Sequence, residues 1–296
     1  MRIGRMIVPL AALAVLCGCG GAAETAAPSP SATSDKKHRI EAAKADCMKQ
    51  QGFKYVPYVW RPPVPDTDES RKRAAGDYQA MRKFRAKHGF GVFALYVYPK
   101  ELGHPAVKPD DPVINPNMEI QSSLSKAQMG AYRKALDTCM VTAANQVLGL
   151  KLKSGTDYYA EQNKVRERAL KSDLNSDPEL VELAAAMATC LKGKGNAISD
   201  TTPLAMARRG QEMFSAQEDR LGRAQRDDVP DVAPPAKEGE LPMIYAPTLT
   251  PEEARPYLNR EIKAALDDLE CGRDFYPVYL PRQAAIDKQV NDRFGM

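Results

Sequence analysis

Six cysteines constrain the fold of this chain more than any other feature, because they fall into two groups. Cys17 and Cys19 end an apolar stretch near the N-terminus, and the other four are spread along the rest of the chain: Cys47, Cys139, Cys190 and Cys271. An even number of cysteines in an exported chain predicts a disulfide framework. Four cysteines allow three pairings, and four reduced thiols are the alternative.

The N-terminus has the organisation of an export signal. Arg2 and Arg5 provide a positive segment, and residues 6–16 form an apolar run of eleven residues. A membrane-spanning helix needs about 20 apolar residues, so this run predicts a cleaved signal rather than a spanning anchor. Secretory cleavage after Ala23, which would leave no lipid, is the alternative.

The sequence Leu16-Cys17-Gly18-Cys19 resembles the signal of bacterial lipoproteins. That resemblance implies diacylglycerol on the sulfur of Cys19, cleavage before Cys19, and anchoring to the outer face of the cell membrane. Cys17 is the poorer acceptor, since Leu16 stands where a small residue is needed. Two acyl chains hold a protein stably at a membrane, whereas one holds it only marginally.

Composition along the chain divides it into four parts. Residues 1–18 are the predicted signal peptide, and residues 19–33 are the acylated cysteine with a flexible tether of small residues and proline. Residues 34–150 are predicted to form a first helical half with a small β element. Residues 151–296 are predicted to form a second helical half.

The charge balance excludes a strongly basic surface. Loss of Arg2 and Arg5 with the signal leaves 40 basic against 38 acidic residues, so nucleic-acid binding is not expected. One basic cluster is predicted to be a solvated helix face, because acidic residues share its helix. Its members are Arg71, Lys72, Arg73, Arg82, Lys83, Arg85 and Lys87.

Start and stop signals predict a mainly α fold. Ser125 with Gln128, and Thr250 with Glu253, have the spacing of a capping box. Proline follows a capping residue at residues 178, 203 and 251, which is typical of a first helical position. The predicted helices cover residues 34–51, 68–87, 124–147, 156–174, 177–193, 202–226, 250–270 and 282–294.

Three segments are predicted not to be helical. Residues 92–98 are β-branched and aromatic, and are the best candidate strand. Residues 275–280 are apolar and predicted to be extended. Residues 99–123 contain several prolines and predict a long loop.

The two halves contain similar segments. Residues 40–52 and 183–195 are both alanine-rich helix ends with a cysteine five residues before a glycine. Each half then has a capped helix with a second cysteine. This pattern indicates two related helical units and favours the pairs Cys47–Cys139 and Cys190–Cys271. Chance similarity between alanine-rich helices is the alternative.

The chain resembles actinobacterial-type cell-envelope lipoproteins of uncharacterised function. The residues that carry this resemblance are the lipoprotein signal, the turn at 47–53, His88-Gly89-Phe90-Gly91, and the helix at 124–139. The resemblance implies export and lipid anchoring, and it implies no activity.

The sequence offers little catalytic or metal-binding chemistry. No pair of its three histidines has metal-ligand spacing, and no nucleophile motif is supported by companion residues, so no catalytic, metal or cofactor residue is predicted. Pairs of carboxylates leave a wall-glycan hydrolase open as an alternative. They are Asp110-Asp111, Asp227-Asp228 and Asp267-Asp268-Glu270, the last of these on a predicted solvent face.

Aromatic residues cluster in the first half and supply the candidate binding surface. In an extended segment alternate side chains face opposite sides, so Phe53 and Tyr55 are predicted to pack inward. Tyr58 and Trp60, together with Tyr98, are predicted to contact a sugar or a partner. The alternative is that these aromatics form a small core under the 99–123 loop.

These observations favour a lipid-anchored, non-enzymatic binding module of the cell envelope. A module of this kind predicts an exposed aromatic patch, whereas a hydrolase predicts two carboxyl groups facing each other across a cleft. A secretion accessory protein, the third candidate, predicts a broad apolar groove between the two halves.

Overall fold

The computed structural model describes residues 30–59, 67–104, 107–108, 114–232 and 243–295. Within these ranges the chain forms eleven α-helices and no strand, which confirms the mainly α prediction. The helices are α1 Pro30–Gln50, α2 Asp68–Ala74, α3 Tyr78–His88, α4 Ala94–Val97, α5 Pro116–Ser122, α6 Lys126–Leu148, α7 Gly155–Ala169, α8 Pro178–Gly193, α9 Pro203–Arg223, α10 Pro251–Cys271 and α11 Tyr276–Phe294. α7 continues into a π-helical turn, Leu170–Leu174.

Helix starts follow the predicted caps. The Ser125 and Thr250 side chains accept from the backbone N–H groups of Gln128 and Glu253, and both capping boxes are complete. Proline occupies the first turn of α8, α9 and α10. Local hydrogen bonds satisfy the unpaired N–H groups of a first turn, so these boundaries can be read from a few adjacent residues.

The predicted strand at residues 92–98 is wrong, because its central residues form the short helix α4. The buried carboxylate of Glu261 on α10 accepts hydrogen bonds from the N–H groups of Phe90, Val92 and Phe93 at 2.8, 2.9 and 2.8 Å. A carboxylate on these N–H groups favours a helical turn in the same way as an N-terminal cap. The apolar composition of the segment reflects burial between helices rather than pairing in a sheet.

Three other predicted boundaries differ. Residues 275–280 are not extended, since α11 begins at Tyr276, and the 99–123 loop contains α5. The predicted helix 68–87 is broken into α2 and α3 at Gly76, which has φ +82. A Cβ at Gly76 would lie 2.6 Å from Cα of Pro277, so this break lets the α2–α3 turn contact the start of α11.

Two disulfides join the helices of each half, as the repeated pattern favours. Cys47–Cys139 links α1 to α6 and Cys190–Cys271 links α8 to α10, each with 5.5 Å between the Cα atoms. Each bridge closes a loop of 81 or 92 residues, which is worth about 4 kcal/mol in the chain-entropy account.

The core consists of three apolar clusters. The largest joins α7, α8, α9, α10 and α11, a second surrounds α4, and a third lies around Tyr132 between α1 and α6. α10 packs against α3 and α4 as well as α8, so helices from both sides of residue 150 are in contact. This arrangement places α2 and α3 opposite α7, α9 and α11.

Candidate functional site

A cleft of about 740 Å³ opens between the α2–α3 segment on one side and α7, α9 and α11 on the other. Its lining includes four arginines, which no local sequence motif brings together: Arg73, Arg85, Arg166 and Arg208. The side chains of Phe84, Phe90, Tyr276 and Tyr279 supply aromatic surface. The cleft is therefore both cationic and aromatic.

A buried ion pair forms the base of the cleft and connects three helices. Arg85 on α3 is 9% exposed, and its Nη1 donates to Asp268 Oδ1 on α10 at 2.6 Å and to the Ala265 carbonyl at 3.0 Å. The Tyr276 hydroxyl donates to the same Oδ1. Burial and the nearby Asp268 carboxylate raise the pKa of Tyr276, so it remains a neutral donor. The charge of Arg85 is thus already neutralised.

The opposite wall contains two further arginines whose charges are paired. Arg208 on α9 donates to both oxygens of Glu167 on α7 at 2.7 and 2.8 Å. Arg166 donates to both oxygens of Asp287 on α11 at 2.7 and 3.1 Å. The hydrogen bond from Arg208 lowers the pKa of Glu167, which is therefore ionised at neutral pH. Two-point pairing of this kind holds guanidinium groups rigidly.

Arg73 and Tyr279 are among the polar groups of the cleft that have no such partner in the described part of the chain. The Arg73 guanidinium lies 4.1 Å from the centre of the Phe84 ring and forms no ion pair within that part of the chain. Tyr279 is 1% exposed, and its hydroxyl makes no hydrogen bond with any residue the structure describes. Burial raises the pKa of Tyr279 to about 12, which keeps the hydroxyl protonated. Both groups are available to a ligand.

The predicted solvated face is partly wrong. Lys72 is exposed and pairs with Asp68 at 2.7 Å, as expected, but Arg85 is buried and Arg73 lines the cleft. These residues do not share one face, because the helix breaks at Gly76 and the residues before and after the break point in different directions.

The predicted aromatic surface is distributed over separate places. Tyr58 is half-buried, its N–H donates to Glu41 at 3.1 Å, and it lines a second cavity of about 440 Å³ with Tyr159. Tyr98 is half-buried against the α4 cluster, with its ring 5.6 Å from that of His88. Trp60 lies outside the described residues, so the three-residue surface stays a prediction.

Phe53 and Tyr55 pack as the alternating pattern predicts. Both lie against the Tyr132 cluster, and the Phe53 ring is 5.4 Å from the Tyr132 ring in an edge-on arrangement. The Tyr55 hydroxyl donates to Glu41 at 2.8 Å.

The predicted carboxylate pairs do not face the cleft where they are described. Asp268 is buried rather than on a solvent face, and Asp267 binds Lys194 at 3.0 Å. Asp228 pairs with Arg226 at 2.6 Å, and the pair at residues 110–111 lies outside the described residues.

Burial raises the pKa of two other carboxyl groups. Glu218 accepts a hydrogen bond from the Tyr96 hydroxyl at 2.5 Å, and Glu261 accepts from three backbone N–H groups. Neither residue lines the cleft.

Cys19 and the rest of residues 1–29 lie outside the described residues, so the signal and its lipid stay predictions. In the described ranges no three His, Cys, Asp or Glu side chains come close enough to hold a metal ion. None of the helices searched there is long and apolar enough to cross a membrane. Comparison with protein families, curated proteins and solved structures found no match to this chain.

Proposed function

We propose that this chain is a lipid-anchored protein of the cell envelope that binds a small polar ligand in the cleft without altering it chemically. The observation that carries this proposal is the pairing pattern of the cleft. The Arg73 guanidinium and the Tyr279 hydroxyl have no hydrogen-bond or ion-pair partner among the described residues, whereas the other three arginines of the lining are paired. Rigid surroundings with a few unpaired polar groups are typical of a ligand site.

The location rests on the disulfides together with the N-terminal sequence. Disulfides persist in oxidising compartments, and the chain forms two of them across widely separated helices. Acylation of Cys19 rests on the sequence resemblance, and it would keep the cleft on the outer side of the membrane.

Binding is favoured over hydrolysis by the state of Glu167, one of the two carboxylates that line the cleft. A glycoside hydrolase needs a carboxyl group with a raised pKa to protonate the leaving group. Glu167 has a lowered pKa and is held by Arg208 through both oxygens, so it is poorly suited to give up a proton. Four arginines in the lining also argue against a chaperone-like groove for apolar segments.

Native mass spectrometry of the full-length chain, released from a bacterial host membrane in mild detergent, tests the proposal. We expect a small-molecule adduct on the wild type and on Ala75→Trp, and at least a fivefold loss of it on Ala74→Trp. Ala74 lines the cleft, whereas the adjacent Ala75 is exposed and does not. Release of soluble fragments from purified wall glycan by the wild type, but not by Ala74→Trp, would instead establish a hydrolase.

A further inference from the structure

The Arg73 guanidinium and the Tyr279 hydroxyl are hydrogen-bond donors without a partner among the described residues, which limits the chemistry of the ligand. Arginine carries five N–H donors and no acceptor, and Arg73 gives none of them to a described residue. The Tyr279 hydroxyl supplies a further donor, on a residue that is 1% exposed as a whole. A ligand that satisfies these groups must present hydrogen-bond acceptors.

Arg73 is held in a position that suits a planar oxyanion. Its guanidinium lies over the Phe84 ring at 4.1 Å, where cation–π attraction limits the conformations of a long side chain. Stacking on a ring leaves the N–H edge of the guanidinium free. That edge matches the two oxygens of a carboxylate in a two-point pair.

The charges around the cleft favour a ligand with one negative charge over a ligand with two. Arg85, Arg166 and Arg208 are neutralised by carboxylates, which leaves Arg73 as the arginine of the lining that has no ion pair with a described residue. Glu212 also lines the cleft, is exposed, and has no ion-pair partner among the described residues. Its negative charge opposes a phosphate dianion more strongly than a carboxylate monoanion.

We propose that the cleft binds small molecules through a carboxylate group that pairs with Arg73, while the Tyr279 hydroxyl donates to a second oxygen of the ligand. The half-buried rings of Phe84 and Phe90, which line the cleft, contact its apolar part. This inference rests on the proposed binding function and names its ligand class: an amino-acid-like or peptide-terminal carboxylate.

Matched acid and amide probes test the carboxylate directly. The full-length chain in detergent is titrated with the twenty N-acetylated amino acids and with their C-terminal amides, which differ only in the carboxylate. We expect at least one acid to bind at least tenfold more tightly than its amide, with inorganic phosphate failing to compete. Equal binding of acid and amide, or no binding of any acid, overturns the carboxylate assignment.

Variants assign the contact to Arg73. Arg73→Gln should weaken binding of the best acid at least tenfold and leave its amide unchanged, and Tyr279→Phe should weaken it two- to tenfold. Arg82→Gln is the matched control, because Arg82 is an exposed arginine on α3 that does not line the cleft. Equal losses in Arg73→Gln and Arg82→Gln overturn the assignment.

The two proposals fail in different ways. A neutral ligand that Ala74→Trp excludes and Arg73→Gln does not affect would remove the carboxylate assignment and keep the binding function. Release of wall fragments that depends on the cleft would remove the binding function itself. Circular dichroism and thermal unfolding of each variant establish that it is folded before titration.

Discussion

Glu261→Gln tests the physical account of the turn that forms one side of the cleft. Glu261 is 0% exposed; its Oε1 accepts from the N–H groups of Phe90 and Val92, and its Oε2 from that of Phe93. Glutamine has almost the same shape but turns one oxygen into an NH₂ donor. Whichever way the amide is oriented, at least one backbone N–H then faces a donor.

The magnitude follows from these contacts. Glutamine retains two of the three hydrogen bonds, although without the charge that strengthens them. Loss of a hydrogen bond to a charged group costs about 1.5–3 kcal/mol, and a buried N–H left without an acceptor adds about 1–3 kcal/mol. Burial of the charged carboxylate is itself costly and raises the pKa of Glu261, so removal of the charge recovers part of the lost free energy of unfolding. We expect a net loss of about 2–4 kcal/mol in the free energy of unfolding.

Urea unfolding at pH 7 measures the loss, with Glu182→Gln as the control because Glu182 is exposed on α8. A change within about 0.5 kcal/mol for the control is expected. Stability of Glu261→Gln equal to or above that of the wild type would refute the reasoning, since desolvation of the carboxylate would then outweigh its three hydrogen bonds. Gly89→Ala should also lower the free energy of unfolding, because the added Cβ would lie 2.6 Å from Cγ of Glu261.

Three further predictions follow from the same structure. Gly76→Ala should destabilise the protein more than Gly91→Ala in thermal unfolding, because both have positive φ but only at Gly76 does the added Cβ meet backbone, at 2.6 Å; equal shifts would contradict the contact with α11. Cys190–Cys271 should be reduced before Cys47–Cys139 by a mild thiol, since Cys190 is exposed and Cys139 is 0% exposed, and alkylation with mass spectrometry gives the order. The lowered pKa of Glu167 means that its ionised form stabilises the fold fully above the unfolded pKa of 4.5. Urea unfolding should therefore show this stabilisation disappearing as the pH falls through the lower folded pKa. Glu167→Gln should lose less of its free energy of unfolding over the same pH range.

Most helix boundaries were predictable from the chain, and the reason is local. The capping boxes at Ser125 and Thr250 depend on residues three positions apart, so no tertiary information is needed to find them. The disulfide pairing is not a local feature, and it was predictable only because the two halves contain similar cysteine-containing helices.

The strand predicted at residues 92–98 shows where local reasoning fails. β-branched and aromatic residues are equally suited to a helix that is buried on several sides, and periodicity alone does not separate the two cases. The deciding contact comes from Glu261, about 170 residues further along the chain.

The sequence by itself predicted the helical class, most helix starts, the number of bridges and export. Caps and apolar periodicity act over a few residues, and the number of cysteines can be read without any structure. Only the tertiary structure decided the cleft. Its arginines come from α3, α7, α9 and the end of α2, and whether each is paired depends on carboxylates from other helices. Electrostatic pairing acts through space rather than along the chain, so Arg73 and Arg82 look alike in the sequence and differ in what surrounds them.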